Sequence, residues 1–308
     1  DKPSPDDGHE RVERWLQQLQ GLQAQGRTKE LRVALAEAQA ELPSSAALQC
    51  CAGWLLRGQG DLQGAERALV RALRLQPHFT LAHVRLGVVL RDLGRLSEAE
   101  QATRRALALD PMLAGAQMNL AVILRETGRL REALATIEMA LQLDPELPGL
   151  QLNHASVLRD LGQPQQALAV VEQVLAAQGP TAAMLALQGS LLQALGRLVE
   201  AEQALRRALT LDAGCAAAYL ALLQQVKPAP DDPLLTLLAQ AEQAELSIGD
   251  RCDLWFARAK LEHHQRRYDE AAQSLEKANA LRRRLRPSNA ASLIASGDDL
   301  LSLFEQAQ

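Results

Sequence analysis

The stretch RDLGRLSEAEQATRRALALDP (Arg91–Pro111) is followed thirty-four residues later by RETGRLREALATIEMALQLDP (Arg125–Pro145). The same step runs outward from this pair. Glycine falls at Gly26, Gly60, Gly94, Gly128, Gly162 and Gly196, and proline at Pro43, Pro77, Pro111 and Pro145. With 19 glycines among 308 residues, six in one phase mark an internal repeat. A period of this length means stacked supersecondary units rather than one closed core.

Each unit reads as two helices. The first ends at the phased glycine, which can take the left-handed backbone that closes a helix. The second starts just beyond and stops before the phased proline, which cannot continue a helix but can open the next. Small residues recur where two helices must touch: Gly53, Gly87, Ala121, Ala155 and Gly189 on the first helix, and Ala65, Ala99, Ala133, Ala167 and Ala201 on the second. Leu56, Leu90, Leu124, Leu158 and Leu192 supply apolar filling. One such pair cannot bury its apolar faces alone, so the pairs must stack.

Composition agrees. The chain is 47% hydrophobic but 3% aromatic, and its apolar material is mostly Ala and Leu, so it favours helices and offers little for strands. A net charge of −4 gives no case for a general nucleic-acid surface. Cys50, Cys51, Cys215 and Cys252 fit neither a metal-ligand spacing nor a disulfide framework and read as free thiols in a reducing, cytoplasmic setting. The sequence opens on Asp1 rather than Met, the mark of a processed or trimmed chain, which leaves a removed signal peptide open.

The small–Gly–Ala–Ala–Pro skeleton of HVRLGVVLRDLGRLSEAEQATRRALALDP (His83–Pro111) and its neighbours resembles the tetratricopeptide repeat family. The resemblance runs from about Val12 to Ala213. It implies an all-α, right-handed superhelix, an α-solenoid of helix-turn-helix repeats, with the first helices lining a concave groove. The aromatics usual at three places in that family are here mostly Leu, Thr or Gln.

The phase breaks after Ala213. A further first helix, CAAAYLALLQQV (Cys215–Val226), runs into KPAPDDP (Lys227–Pro233), whose prolines interrupt it. A helix capped by Asp231 or Asp232 follows. Leu254–Arg284 then resumes a repeat out of register, and 287–308 reads as a capping helix. The expected organisation is a flexible tail at 1–10, the repeat array at 11–226, a connector at 227–251, a further repeat at 252–286, and the cap. The C-terminal part also resembles the segment joining such repeats to the catalytic domain of bacterial repeat-containing sulfotransferases. That domain's phosphosulfate-binding loop has no match in this chain, so the chain is expected to be no enzyme and to need no cofactor.

No catalytic or metal constellation stands out. His263 and His264 lie on a polar stretch and read as a solvated helix end. The basic run Arg282–Arg286 reads as a helix C-terminus, where cations are favoured, or as a contact for an acidic partner.

The sharper signal is a ladder. Arg57, Arg91, Arg125 and Arg159 recur three residues before the phased glycines, and three are followed by an acid, Asp92, Glu126 and Asp160. Asn119 and Asn153 form a shorter ladder where, by the resemblance, nuclear sugar-transferase relatives carry groove asparagines. Val84, Val88, Met118, Val122 and Leu152 are expected to floor the groove. In one reading Asn clamps an extended backbone and Arg selects acidic side chains of a protein or peptide partner. In the other, Arg–acid pairs merely link neighbouring repeats. The resemblance to sulfotransferase arms implies a third role, presenting substrate to a catalytic domain outside this chain, and a solenoid that only self-associates is a fourth.

Overall fold

The computed structural model describes residues 5–244 and 246–285. These residues form sixteen helices and no strand. Two compact units divide the chain, Asp1–Val170 and Val171–Gln308.

In the first unit the helices are α1 (Pro5–Ala24), α2 (Thr28–Glu41), α3 (Ala46–Gly58), α4 (Leu62–Leu75), α5 (Thr80–Asp92), α6 (Leu96–Leu109), α7 (Ala114–Glu126), α8 (Leu130–Leu143) and α9 (Leu150–Asp160). The boundary between units falls inside α10 (Pro164–Gln178). The second unit holds α11 (Ala182–Ala194), α12 (Leu198–Leu211), α13 (Ala216–Gln225), α14 (Pro233–Gln243), α15 (Ile248–His264) and α16 (Tyr268–Leu285). Each repeat pairs its two helices closely, as in α3 with α4, α5 with α6, α7 with α8 and α11 with α12.

The phased glycines close the first helices as their conformational freedom requires. Gly94 has φ 77° and Gly128 φ 79°. The next residue's N–H reaches back five positions, Arg95 to the Leu90 carbonyl at 2.9 Å and Arg129 to Leu124 at 2.8 Å. This is the Schellman closure, which satisfies carbonyls that a helix end leaves unpaired. In the out-of-register repeat the same position is held by Arg266, with φ 59°, and the Arg267 N–H still reaches Glu262 at 2.9 Å. The turn is thus kept where its glycine is missing.

The small positions are close approaches. A Cβ on Gly189 would meet Leu205 Cγ at 2.4 Å, so only glycine lets α11 lie against α12 at this distance. Ala65, Ala99, Ala133, Ala167 and Ala201 are fully buried. At the start of the first helices a side chain reaches back six residues to a loop carbonyl. His83 Nε2 donates to Pro77 at 2.9 Å, Gln117 to Pro111 at 3.4 Å and Tyr219 to Ala213 at 2.9 Å. These bonds satisfy backbone acceptors at the repeat junctions. At the start of the second helices, Arg95 bonds Glu98 and also Glu66 of the preceding repeat at 2.7 Å. Arg129 likewise joins Glu132 and Glu100.

Several expectations shift. α1 begins at Pro5, inside the expected tail at 1–10; proline suits a first helical position because its missing N–H would have no partner there. α15 begins at Ile248 rather than 252, because the Ser247 side chain accepts the Asp250 N–H and starts the helix earlier. Of the two candidate caps for α14 it is Asp232, accepting from the Leu234 N–H at 2.9 Å. Asp232 also receives both Nη atoms of Arg206, at 3.0 and 2.8 Å, which ties α14 to α12. Beyond the proline break α15 packs along α13 more extensively than first helices pack together in the first unit. The expected capping helix at 287–308 lies outside the described residues.

Candidate functional site

The candidate residues all lie on first helices of the first unit. There α1 meets α3, α3 meets α5, α5 meets α7 and α7 meets α9, while the second helices α4, α6 and α8 approach one another less closely. Closer approach on one side bends the stack toward that side, so the surface made by the first helices is the inner one.

Val84, Val88, Met118, Val122 and Leu152 are half-buried along this surface. Their partial burial follows from the repeat: one flank packs inward, as Met118 does against the Ala121, Ile137, Ala140 and Leu150 cluster, and the other stays open. The strip begins earlier than expected. Trp54, half-buried, stands thirty-four residues before Val88 and carries Arg57 at 4.8 Å and Arg85 at 5.3 Å from its ring centre. Arg85 also donates to the Cys50 carbonyl at 3.1 Å. Trp54 was legible from its phase with Val88 and Val122. Arg85 was not, because its neighbours in phase are Cys51, Asn119 and Asn153.

The arginines are not equivalent rungs. Asp92 takes Arg57 Nε at 2.7 Å from the preceding repeat and Arg91 Nη2 at 3.0 Å from its own. Asp160 likewise takes Arg125 Nη1 at 3.3 Å and Arg159 Nε and Nη2 at 3.0 and 2.9 Å. The ladder is therefore two clips, each of two guanidiniums on one aspartate. The four arginine side chains keep 22–37% of their surface exposed, so each clip remains partly open to solvent.

The asparagines depart from the expected clamp. Asn119 is buried, 4% exposed, and its Nδ2 donates to Thr103 Oγ1 at 2.9 Å. Its Oδ1 faces Arg91 Nη1 at 3.4 Å. Thr103 stands on the second helix where other repeats have Leu69 and Leu205; its hydroxyl donates to the Ala99 carbonyl at 2.8 Å and keeps its lone pairs for the Asn119 amide. Asn119 therefore belongs to the core. Asn153 is half-buried, and its Nδ2 donates to its own helix start, the Gly149 carbonyl, at 3.0 Å.

Elsewhere the chemistry is quiet. Burial pushes the thiols of Cys50, Cys51, Cys215 and Cys252 up, so none is poised as a thiolate. Among the described residues no group of three His, Cys, Asp or Glu side chains is placed to hold a metal ion. His263 is exposed and stacks edge-on with Tyr268 at 5.5 Å. Of the basic run, Arg282 lies over Phe256 at 5.5 Å. No helix among the described residues is long and apolar enough to cross a membrane.

Many solved structures resemble this chain, among them the following three. PilF of Pseudomonas aeruginosa is 20% identical, covering 69% of this chain and 96% of its own, with a TM-score of 0.58. PilW, described as a widely conserved type IV pilus biogenesis factor, is 17% identical over 67% of this chain and 94% of its own, with a TM-score of 0.60. A tetratricopeptide repeat protein of Parabacteroides merdae is 19% identical over 77% and 93%, with a TM-score of 0.55. At these identities the likeness carries the fold alone. No curated protein matches the chain. The sulfotransferase resemblance of the C-terminal segment finds no counterpart among these relatives, and the family match stops at residue 216. The tetratricopeptide repeat model matches residues 52–114, 102–148 and 152–216, more than half of the sequence, and the chain belongs to the tetratricopeptide repeat family.

Proposed function

We propose that this chain binds an extended segment of a partner protein along the inner surface of its first unit, and that acidic side chains of the partner meet the two arginine clips. Tetratricopeptide repeat proteins generally mediate protein–protein interactions, and that general role supports the reading. The observation that carries the finer reading is the alignment of a half-buried apolar strip with four partly exposed arginines on one surface. The strip supplies burial, and guanidiniums supply charge-assisted hydrogen bonds to carboxylates.

The rungs set a register. Neighbouring first helices lie about 8–10 Å apart, and an extended strand advances about 3.3 Å per residue. One repeat thus corresponds to about three ligand residues. Binding should weaken with salt, because the contacts are exposed charges. The test is the triple substitution of Arg91, Arg125 and Arg159 by Ala. Loss of affinity for an acidic extended peptide with little change in melting temperature supports the reading. A lower melting temperature with unaltered affinity assigns these arginines to stability and sinks it.

A further inference from the structure

The three ladder carboxylates are used differently. Asp92 and Asp160 each hold two arginines, but Glu126, between them in sequence and in the stack, engages no arginine or lysine among the described residues. By the repeat, its partner would be Arg91, just as Arg57 pairs with Asp92 and Arg125 with Asp160. Arg91 turns instead to Asp92 and to the Asn119 amide oxygen. That oxygen is aimed at Arg91 because the amide's other end is held by buried Thr103. The Thr103–Asn119 pair therefore withdraws Arg91 from Glu126 and leaves a half-buried carboxylate in line between two cationic clips.

We infer that Glu126 is a selectivity residue, taking a lysine or arginine of the bound segment that lies between two acidic residues recognised by the clips. The inference rests on the peptide-groove reading and adds the partner's charge pattern to it. Glu126 is on α7, with Asp92 on α5 and Asp160 on α9. One helix spacing on either side is about three residues of extended chain. The matching ligand is acid, two residues, base, two residues, acid. An all-acidic segment would place a carboxylate against Glu126, and such like-charge contacts are how an interface rejects wrong partners. The pattern reads the same in both directions, so it holds for either strand polarity.

The experiment compares two labelled peptides built on DAAKAAD and DAAEAAD by fluorescence anisotropy at low salt. The wild-type chain should bind the central-lysine peptide at least about fivefold more tightly. Glu126→Gln should shrink that preference below about twofold, and Glu126→Lys should reverse it; melting curves establish that each variant is folded, and Glu126→Asp should keep part of the preference. Equal binding of both peptides by the wild-type chain, or an unchanged preference in Glu126→Gln, overturns the role of Glu126. If that equal binding is salt-sensitive and lost in the triple arginine variant, the groove reading stands while this inference falls. Absence of binding by either peptide overturns both.

Discussion

Arg57 and Asp92 lie thirty-five residues apart in sequence and meet at 2.7 Å, Nε to Oδ2, across the junction of two repeats. Asp92 is thereby both a brace between α3 and α5 and a competitor for any acidic ligand. The pair is partly exposed, so its contribution to stability is about 0–1 kcal/mol. Asp92→Asn combined with Asp160→Asn should therefore cost little in melting temperature and raise affinity for an acidic peptide about three- to tenfold, because four guanidiniums are released. Calorimetric titration and a thermal melt on the same sample check both halves. A clear fall in melting temperature without gain in affinity would show that the clips only brace.

Arg266 offers a test of the repeat's backbone logic. It holds φ 59° where every earlier repeat from Gly26 to Gly196 has glycine. A non-glycine residue in the left-handed region costs about 1–2 kcal/mol, and the entropy that glycine adds to the unfolded chain returns about 0.4–1 kcal/mol. Arg266→Gly should stabilise the chain by about 0.5–1 kcal/mol, read as a higher urea midpoint. The converse, Gly128→Val, forces a β-branched residue to φ 79° and should cost about 1–3 kcal/mol.

The second unit carries a pH-dependent tie. The Arg206 guanidinium, bonded to Asp232 through both Nη atoms, holds that carboxyl below its usual range, and the Leu234 N–H adds to the effect. A depressed folded value means that the tie stabilises the chain above the unfolded aspartate value of about 3.9. The contribution is lost as pH falls through the folded value. The stability gap between wild type and Asp232→Asn should thus be largest near neutral pH and close below about pH 4. A gap that stays constant across a denaturation series from pH 7 to 3 would show that the charge of Asp232 does not carry the tie.

The helix pairs were legible because backbone geometry imposes them. A left-handed turn calls for glycine at a set offset, and a close helix crossing calls for Gly or Ala, so Gly94 or Ala99 announces its position by residue type. The last repeat was legible despite Arg266 because Ala259, Ala271 and Ala278 keep the crossing. That Arg–acid pairs could link neighbouring repeats was legible, but which acid holds which arginine was not. Asp92, Glu126 and Asp160 look alike in sequence, and which arginine each one holds depends on side chains that carry no phase, above all Thr103. The same hydroxyl explains Asn119: its in-phase neighbour Asn153 suggests a surface ladder, but only Asn119 has a buried polar partner one helix away.

That difference gives the last prediction. Asn119→Ala removes the donor to Thr103 Oγ1 at a fully buried site and leaves a small cavity. The Thr103 hydroxyl keeps its bond to the Ala99 carbonyl, so the cost is that of the lost hydrogen bond, about 0.5–1.5 kcal/mol, with the cavity adding to it. Asn153→Ala removes a local bond from a partly exposed side chain to its own helix start and should stay within about 0.5 kcal/mol. If both asparagines instead clamped a ligand backbone, the two variants would lose affinity alike and lose little stability. Loss of the amide oxygen also frees Arg91 to swing toward Glu126, as Arg57 and Arg125 do toward their aspartates. Asn119→Ala should therefore weaken the preference for a central lysine in the peptide although residue 119 is itself buried, and Asn153→Ala should leave that preference intact. Measuring urea midpoints and the two peptide affinities on both variants separates a core asparagine that positions an arginine from a surface asparagine that grips a strand.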